Sequence, residues 1–104
     1  ALAEHRPVAV MHVAALSLVG DAMEKPARYW RENVGGALNL LEACVSAGVT
    51  TFVQSSTCAT YGDQDGTLLT ETTPQRPTNA YGGSKLAVEA ILKDFGAAFG
   101  INHV

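Results

Sequence analysis

Tyr81 and Lys85, four residues apart, are the pair with the plainest chemical potential in this sequence. On a helix they share one face, with Cβ atoms about 5–6 Å apart. A phenol, with a pKa of about 10, is a poor base at neutral pH. An ammonium beside it favours the phenolate. Lowering a phenol by about three units takes roughly 4 kcal/mol, and one close cation in a partly dry site supplies much of that. A tyrosine tuned this way can take a proton from an alcohol or sugar hydroxyl and give it back. The spacing alone is common, and an exposed helix with an aromatic and a snorkelling lysine has the same pattern. Context separates the two readings. Upstream, the hydroxyl-rich run Ser55-Ser56-Thr57-Cys58-Ala59-Thr60-Tyr61-Gly62 follows directly on the strand-like Thr51–Gln54. Open parallel sheets present ligands at the carboxyl ends of their strands. The competing role for these hydroxyls is to satisfy backbone groups at a strand end.

The rest of the chain reads as the frame for these residues. The sequence has 104 residues, 47% apolar and 16% charged, with net charge −3, an ordinary soluble composition for one small domain at most. No basic run suggests nucleic acid. No apolar stretch approaches the roughly 20 residues of a membrane span. Cys44 and Cys58 make neither a disulfide framework nor a metal-ligand pattern, and His5, His12 and His103 are scattered. A reduced, cytoplasmic setting and no metal follow. A chain that begins without Met and shows no signal segment reads as cut.

Residues 1–6 read as a helix tail stopped by Pro7. The unalternating apolar run 8–13 suits a strand covered on both faces. The small residues after it, Ala14, Ala15 and Ser17, suit either close approach of a ligand or tight helix–strand packing. Residues 19–31 are polar and mixed, with a new helical turn opening at Pro26. A helix is expected over 34–47, with Val34, Leu38, Leu41 and Val45 on one stripe, Ala37, Leu40 and Cys44 beside it, and Gly48 ending it. Thr51–Gln54 is the next strand. Thr78 or Asn79 caps a helix carrying Tyr81, whose packing stripe is Ala87, Ile91, Phe95 and Phe99 and whose end is Gly100. Residues 101–104 begin another strand. The fold class is α/β, part of a doubly wound parallel sheet of Rossmann type, with three parallel strands and their helices.

Taken in order, these motifs resemble the middle of an extended short-chain dehydrogenase/reductase of the NAD-dependent epimerase/dehydratase family, most closely the nucleotide-sugar 4-epimerases. The resemblance covers essentially the whole chain. His12-Val13-Ala14-Ala15 is similar to the family segment that lies against the ribose and nicotinamide of NAD, which implies that Val13, Ala14, Ala15 and Ser17 line the cofactor. Asn33-Val34-Gly35-Gly36 resembles the family's Asn-Val-x-Gly-Thr. Asn33 is thus a candidate for reaching NAD and equally for holding a helix start and a neighbouring loop. Ser55 is a further cofactor candidate. Thr57 matches the family's catalytic hydroxyl, with Tyr81 and Lys85 as the acid/base pair, and Thr57, Cys58, Ala59 and Tyr81 as substrate contacts. Tyr81 and Lys85 also face the cofactor.

The related dehydratases resemble Thr-Asp-Glu where this chain has Thr57-Cys58-Ala59. Neither Cys58 nor Ala59 can supply the extra acid and base of water elimination, so redox at a single carbon remains. Cys58 is expected to be a small buried filler rather than a reactive thiol. A loop near Glu71 is expected to help close the site.

The resemblance implies a UDP-hexose type 4-epimerase acting by transient oxidation at sugar carbon 4, with a UDP-sugar substrate, NAD as cofactor and a homodimeric parent. It leaves open which sugar is used and whether the cofactor is NAD or NADP. A dimer also suits apolar residues off the main helix stripes, Ala37, Leu86 and Ala90. No Gly-x-x-Gly-x-x-Gly turn is present. Residues 1–104 therefore read as the middle portion of an NAD(P)-binding domain, lacking the Gly-rich unit and a substrate domain, and inactive alone. The competing classes are a reductase or dehydrogenase of the same superfamily and a non-catalytic module of that fold. Intact Tyr81, Lys85 and Thr57 argue against the last.

Overall fold

The computed structural model describes residues 1–104. Helix α1 (Leu2–His5) precedes strand β1 (Val10–His12) and is followed by α2 (Val19–Glu24) and α3 (Pro26–Tyr29). α3 continues through a π-helical turn, Trp30–Gly35, into α4 (Gly36–Ala47). Strand β2 (Thr51–Gln54), a 3-10 turn (Cys58–Thr60), α5 (Ala80–Phe99) and β3 (Asn102–His103) complete the order. The strands form one parallel sheet in the order β1-β2-β3. This is the expected α/β arrangement of three parallel strands with helical crossovers.

Register decides where the chain leaves the sheet. His12 pairs with Gln54, so β1 and β2 end level. The Ser55 N–H donates to the His12 carbonyl at 3.0 Å. Residues 13–18 and 55–60 therefore emerge side by side at the carboxyl edge, where parallel sheets hold ligands.

The core joins one sheet face to α4 and α5 through Ala37, Leu41 and Cys44, Phe52, and Val88 and Leu92. Burying such side chains stabilises by about 1.5–3 kcal/mol each for the larger ones. The opposite sheet face is open. Met11, level with Val53, is 70% exposed, so the expectation of a strand covered on both faces fails within this chain. Alternation puts Val10 and Phe52 under the helices and Met11 on the bare side.

The helix stripes have the expected period and a different phase. On α4 the buried residues are Ala37, Leu41 and Cys44, while Leu38 is exposed. On α5 they are Gly82, Ser84, Lys85, Val88 and Leu92, while Phe99 is exposed. A strict spacing of four winds around a helix by about 40° per step at 3.6 residues per turn. The run Ala87, Ile91, Phe95, Phe99 therefore drifts off the core: Ile91 and Phe95 still pack against its edge, while Phe99 lies outside and packs on Phe95 with centroids 5.3 Å apart.

The helical turn expected to open at Pro26, a favoured first-turn proline, does so, but it does not stop before Val34: it runs on through the π-helical turn into α4. The polar stretch before it contains α2, supported by a Lys25–Asp21 ion pair at 2.8 Å. Gly48 and Gly100 end α4 and α5 as expected, both in left-handed conformations.

Candidate active site

Helix α5 begins at Asn79, whose Oδ1 accepts the Gly82 N–H at 2.9 Å. This is a favoured N-cap, and it starts the helix just ahead of Tyr81. The same first turn lies on the hydroxyl turn. A Cβ built at Gly82 would stand 2.3 Å from the Ala59 carbonyl oxygen, so only glycine permits this approach. The contact brings the helix bearing Tyr81 and Lys85 against the segment bearing Thr57.

Thr57 caps the 3-10 turn: its Oγ1 accepts the Ala59 N–H at 3.2 Å. A hydroxyl has one donor hydrogen and two acceptor sites. The Thr57 hydrogen stays uncommitted within the chain. Tyr81 is half-buried and its phenol oxygen has no partner in the protein; its carbonyl accepts the Ser84 hydroxyl at 2.8 Å.

Lys85 is 4% exposed, and neither of the chain's two ion pairs includes it. Burial pushes its ammonium below the ordinary lysine range, while Glu89 works the other way. His12, at the end of β1, is lowered by burial and then by the Lys85 charge, which puts these two side chains within electrostatic reach. His12 also meets Phe52 edge-on, centroids 6.0 Å apart.

Asn33 sits inside the π-helical turn and not at a helix start. Its Oδ1 accepts the Leu16 N–H at 2.8 Å, and its Nδ2 donates to the Leu16 carbonyl and to Ser84 Oγ, both at 3.0 Å. It thereby ties the segment after β1 to α5, next to Tyr81. This is the loop-holding role, moved from the start of a helix to its middle. π-bulges often occur at functional sites. Tyr29, 1% exposed, adds a second tie by donating to the Leu18 carbonyl at 2.7 Å. Held in this way, Val13, Ala14, Ala15 and Ser17 are exposed at the sheet edge. Ser55 is exposed at the end of β2.

Beside the hydroxyl turn lies an open groove of about 680 Å³. Ser56, Thr57, Cys58 and Tyr61 form one wall, and Leu69 and Glu71 belong to the other. Tyr81 and Lys85 are not part of its lining. Cys58 is exposed on this groove and is no buried filler; the buried cysteine is Cys44. The difference is positional. Cys58 opens a turn at the sheet edge, whereas Cys44 is on the core face of α4, where burial pushes its thiol up.

Sequence reasoning passed over Ser84, fully buried between Tyr81 and Lys85, and also Tyr29, Gln75 and Glu89. The sequence signal for Ser84 is its hydroxyl inside the Tyr81–Lys85 motif. Tyr29 and Gln75 carried no local signal. No group of three or more His, Cys, Asp or Glu is arranged to hold a metal, and no helix is long and apolar enough to cross a membrane.

A parallel sheet with a helix-borne Tyr-x-x-x-Lys against a hydroxyl turn at its carboxyl edge defines a Rossmann-type chain with a candidate proton-transfer site. The sequence model of the NAD dependent epimerase/dehydratase family matches residues 1–104, and the chain belongs to that family. It is 50% identical over 92 residues to a UDP-glucose 4-epimerase of Corynebacterium glutamicum, covering 88% of this chain and 28% of that protein. Among solved structures it resembles the UDP-glucose 4-epimerase from Brucella ovis in complex with NAD, at TM-score 0.94 and 41% identity, over 98% of this chain and 31% of the other. It also resembles the UDP-Glc/GlcNAc 4-epimerase from Campylobacter jejuni, at TM-score 0.93 and 37% identity, again over 98% and 31%. The chain thus spans less than a third of each of these proteins.

Proposed function

We propose that residues 1–104 are the middle portion of an NAD(P)-binding Rossmann-type domain, and that the whole protein is a nucleotide-sugar 4-epimerase of UDP-hexose type using NAD. The observation that carries this reading is the Gly82–Ala59 contact. It sets a helix bearing Tyr81 and Lys85 on a turn whose Thr57 hydroxyl is uncommitted and whose next two residues hold no carboxylate. The residues fit a dinucleotide. Small exposed side chains follow β1, and Lys85, a buried residue, makes no ion pair within the chain.

Val13, Ala14, Ala15, Ser17, Ser55, Tyr81 and Lys85 would hold NAD. Asn33, whose amide is committed to Leu16 and Ser84, would shape that wall. NAD, when bound, supplies a reversible hydride acceptor for the sugar carbon. Tyr81 accepts the proton of the sugar 4-hydroxyl and returns it. Thr57 donates its free hydrogen to the same oxygen. Lys85 contributes positive charge beside the phenol and toward the ribose. Cys58 and Ala59 border the sugar without adding the carboxylic acid and base that water elimination uses, so the keto sugar is reduced again. Return of hydrogen to its opposite face inverts the centre.

Both cysteines are free, which suits a reducing cytoplasm. The whole enzyme is a homodimer joined through the outer faces of α4 and α5, where Leu38 and Ala90 are exposed.

The test is direct. The whole enzyme is given UDP-glucose or UDP-N-acetylglucosamine and followed by NMR. The carbon-4 epimer should appear without net reduction of NAD. Release of a 4-keto-6-deoxy sugar, or of reduced nicotinamide in step with substrate loss, would contradict the reading.

A further inference from the structure

Glu89 lies on α5 one turn beyond Lys85, as Lys85 lies one turn beyond Tyr81. The proton transfer described above makes no use of it, yet its carboxylate is where three segments meet. Ser56 of the hydroxyl turn donates its hydroxyl to Oε1. Gln75, from the long loop before α5, donates from Nε2 to Oε2 at 3.0 Å. The same amide nitrogen reaches Thr60 Oγ1 at 3.1 Å. Thr60 is 1% exposed and donates its hydroxyl to the Thr57 carbonyl at 2.9 Å. A continuous run of hydrogen bonds therefore leads from the Glu89 carboxylate to the backbone of Thr57. Bonds to an ionised carboxylate are roughly twice as strong as neutral ones, and linked bonds reinforce one another.

We propose that Glu89 is a positioning residue: it fastens the hydroxyl turn and the loop carrying Gln75 to α5, so that the Thr57 hydroxyl and the Tyr81 phenol address one substrate oxygen. This rests on the roles proposed above for Thr57 and Tyr81. Two segments far apart in sequence are held to the catalytic helix by a single side chain. Its loss releases both at once, without opening the core of Phe52, Val88 and Leu92.

The test uses Glu89→Ala and Glu89→Gln in the whole enzyme. Glu89→Ala should lower kcat about tenfold or more, as misplacement of a reacting group does. KM for the nucleotide sugar and the melting temperature should change little. Glu89→Gln keeps an acceptor for Ser56 and turns a donor toward Gln75, so its loss should be smaller. In a Thr57→Val background the hydroxyl being positioned is gone, and Glu89→Ala should cost little more. Independent, multiplying losses would overturn the proposal.

Amide hydrogen exchange gives a readout that needs no turnover. Ala59 and Thr60 donate their N–H groups to Thr57 within the turn. Glu89→Ala should speed exchange at both and leave β2 unchanged. Unchanged exchange in the turn would also overturn the proposal. If the parent enzyme does not epimerise, the proposed function falls, while the exchange result still decides the role of Glu89.

Discussion

Tyr81→Phe removes one oxygen and keeps the ring's packing, so it isolates the chemistry. Turnover in the whole enzyme should fall at least ~10²-fold, the usual worth of a positioned acid/base, at nearly constant melting temperature. Near-normal turnover would return Tyr81 to an ordinary helix surface. Lys85 should separate activity from stability. Burial holds its ammonium below the ordinary lysine range, so the unfolded chain binds that proton more tightly and the buried charge costs stability below the folded-state pKa. Stability rises with pH wherever the unfolded state holds more protons, so this cost fades as pH climbs to the ordinary lysine value. Lys85→Met should therefore raise the unfolding midpoint at neutral pH and abolish turnover. The gap from the parent should narrow toward alkaline pH, and a lower midpoint at neutral pH would contradict the account. The cysteines give a third check. A thiol reagent should label Cys58 in the native protein and reach Cys44 only on unfolding, as mass spectrometry of peptides can show. The pairing of Tyr81 with Lys85 on one face was legible because a motif five residues long needs only a helix to make sense. The exposure of Cys58 was not, because burial depends on where the turn meets the sheet edge.

A glycine in the first turn of α5 and one in the first turn of α4 have opposite surroundings. At Gly82 an added Cβ meets the Ala59 carbonyl, whereas at Gly36, the first residue of α4, it meets nothing within 4 Å. Gly36→Ala should stabilise by about 0.5–1 kcal/mol, the ordinary helix gain. Gly82→Ala should reverse that sign, costing about 1–3 kcal/mol as an overpacked contact, and should also lower turnover by pushing α5 off the Thr57 turn. Denaturant melts of both variants decide it, and equal stabilisation would show that α5 has room to spare. The extents of β2 and the ends of α4 and α5 were readable from β-branched runs, an N-cap asparagine and terminal glycines, all of which act locally. Stripe phase was not, since strict spacing by four drifts around a helix and Phe99 ends outside the core. Nor was the Asn33–Ser84 bond, which joins residues 51 apart in sequence. Such pairings follow from tertiary packing and leave no mark on either neighbourhood.

At the scale of the molecule, one bare sheet face and exposed apolar side chains such as Met11, Met23 and Phe99 need cover or cost solubility. The proposed homodimer would use the outer faces of α4 and α5. Light scattering on the whole enzyme should give twice the monomer mass, and a strict monomer at tens of micromolar would reject the pairing. The parallel order of the three strands was legible from helix–strand alternation. The groove between the hydroxyl turn and Glu71 was not, because its walls belong to segments that only the fold brings together. The central claim is that one carbon is oxidised and reduced again in the same site. A UDP-sugar carrying deuterium at carbon 4 tests it most directly. The account predicts that the carbon-4 epimer forms with its deuterium retained, in ordinary water and with no net change in NAD. Epimer that has lost the deuterium to solvent, or no epimer from any UDP-sugar offered, would contradict it.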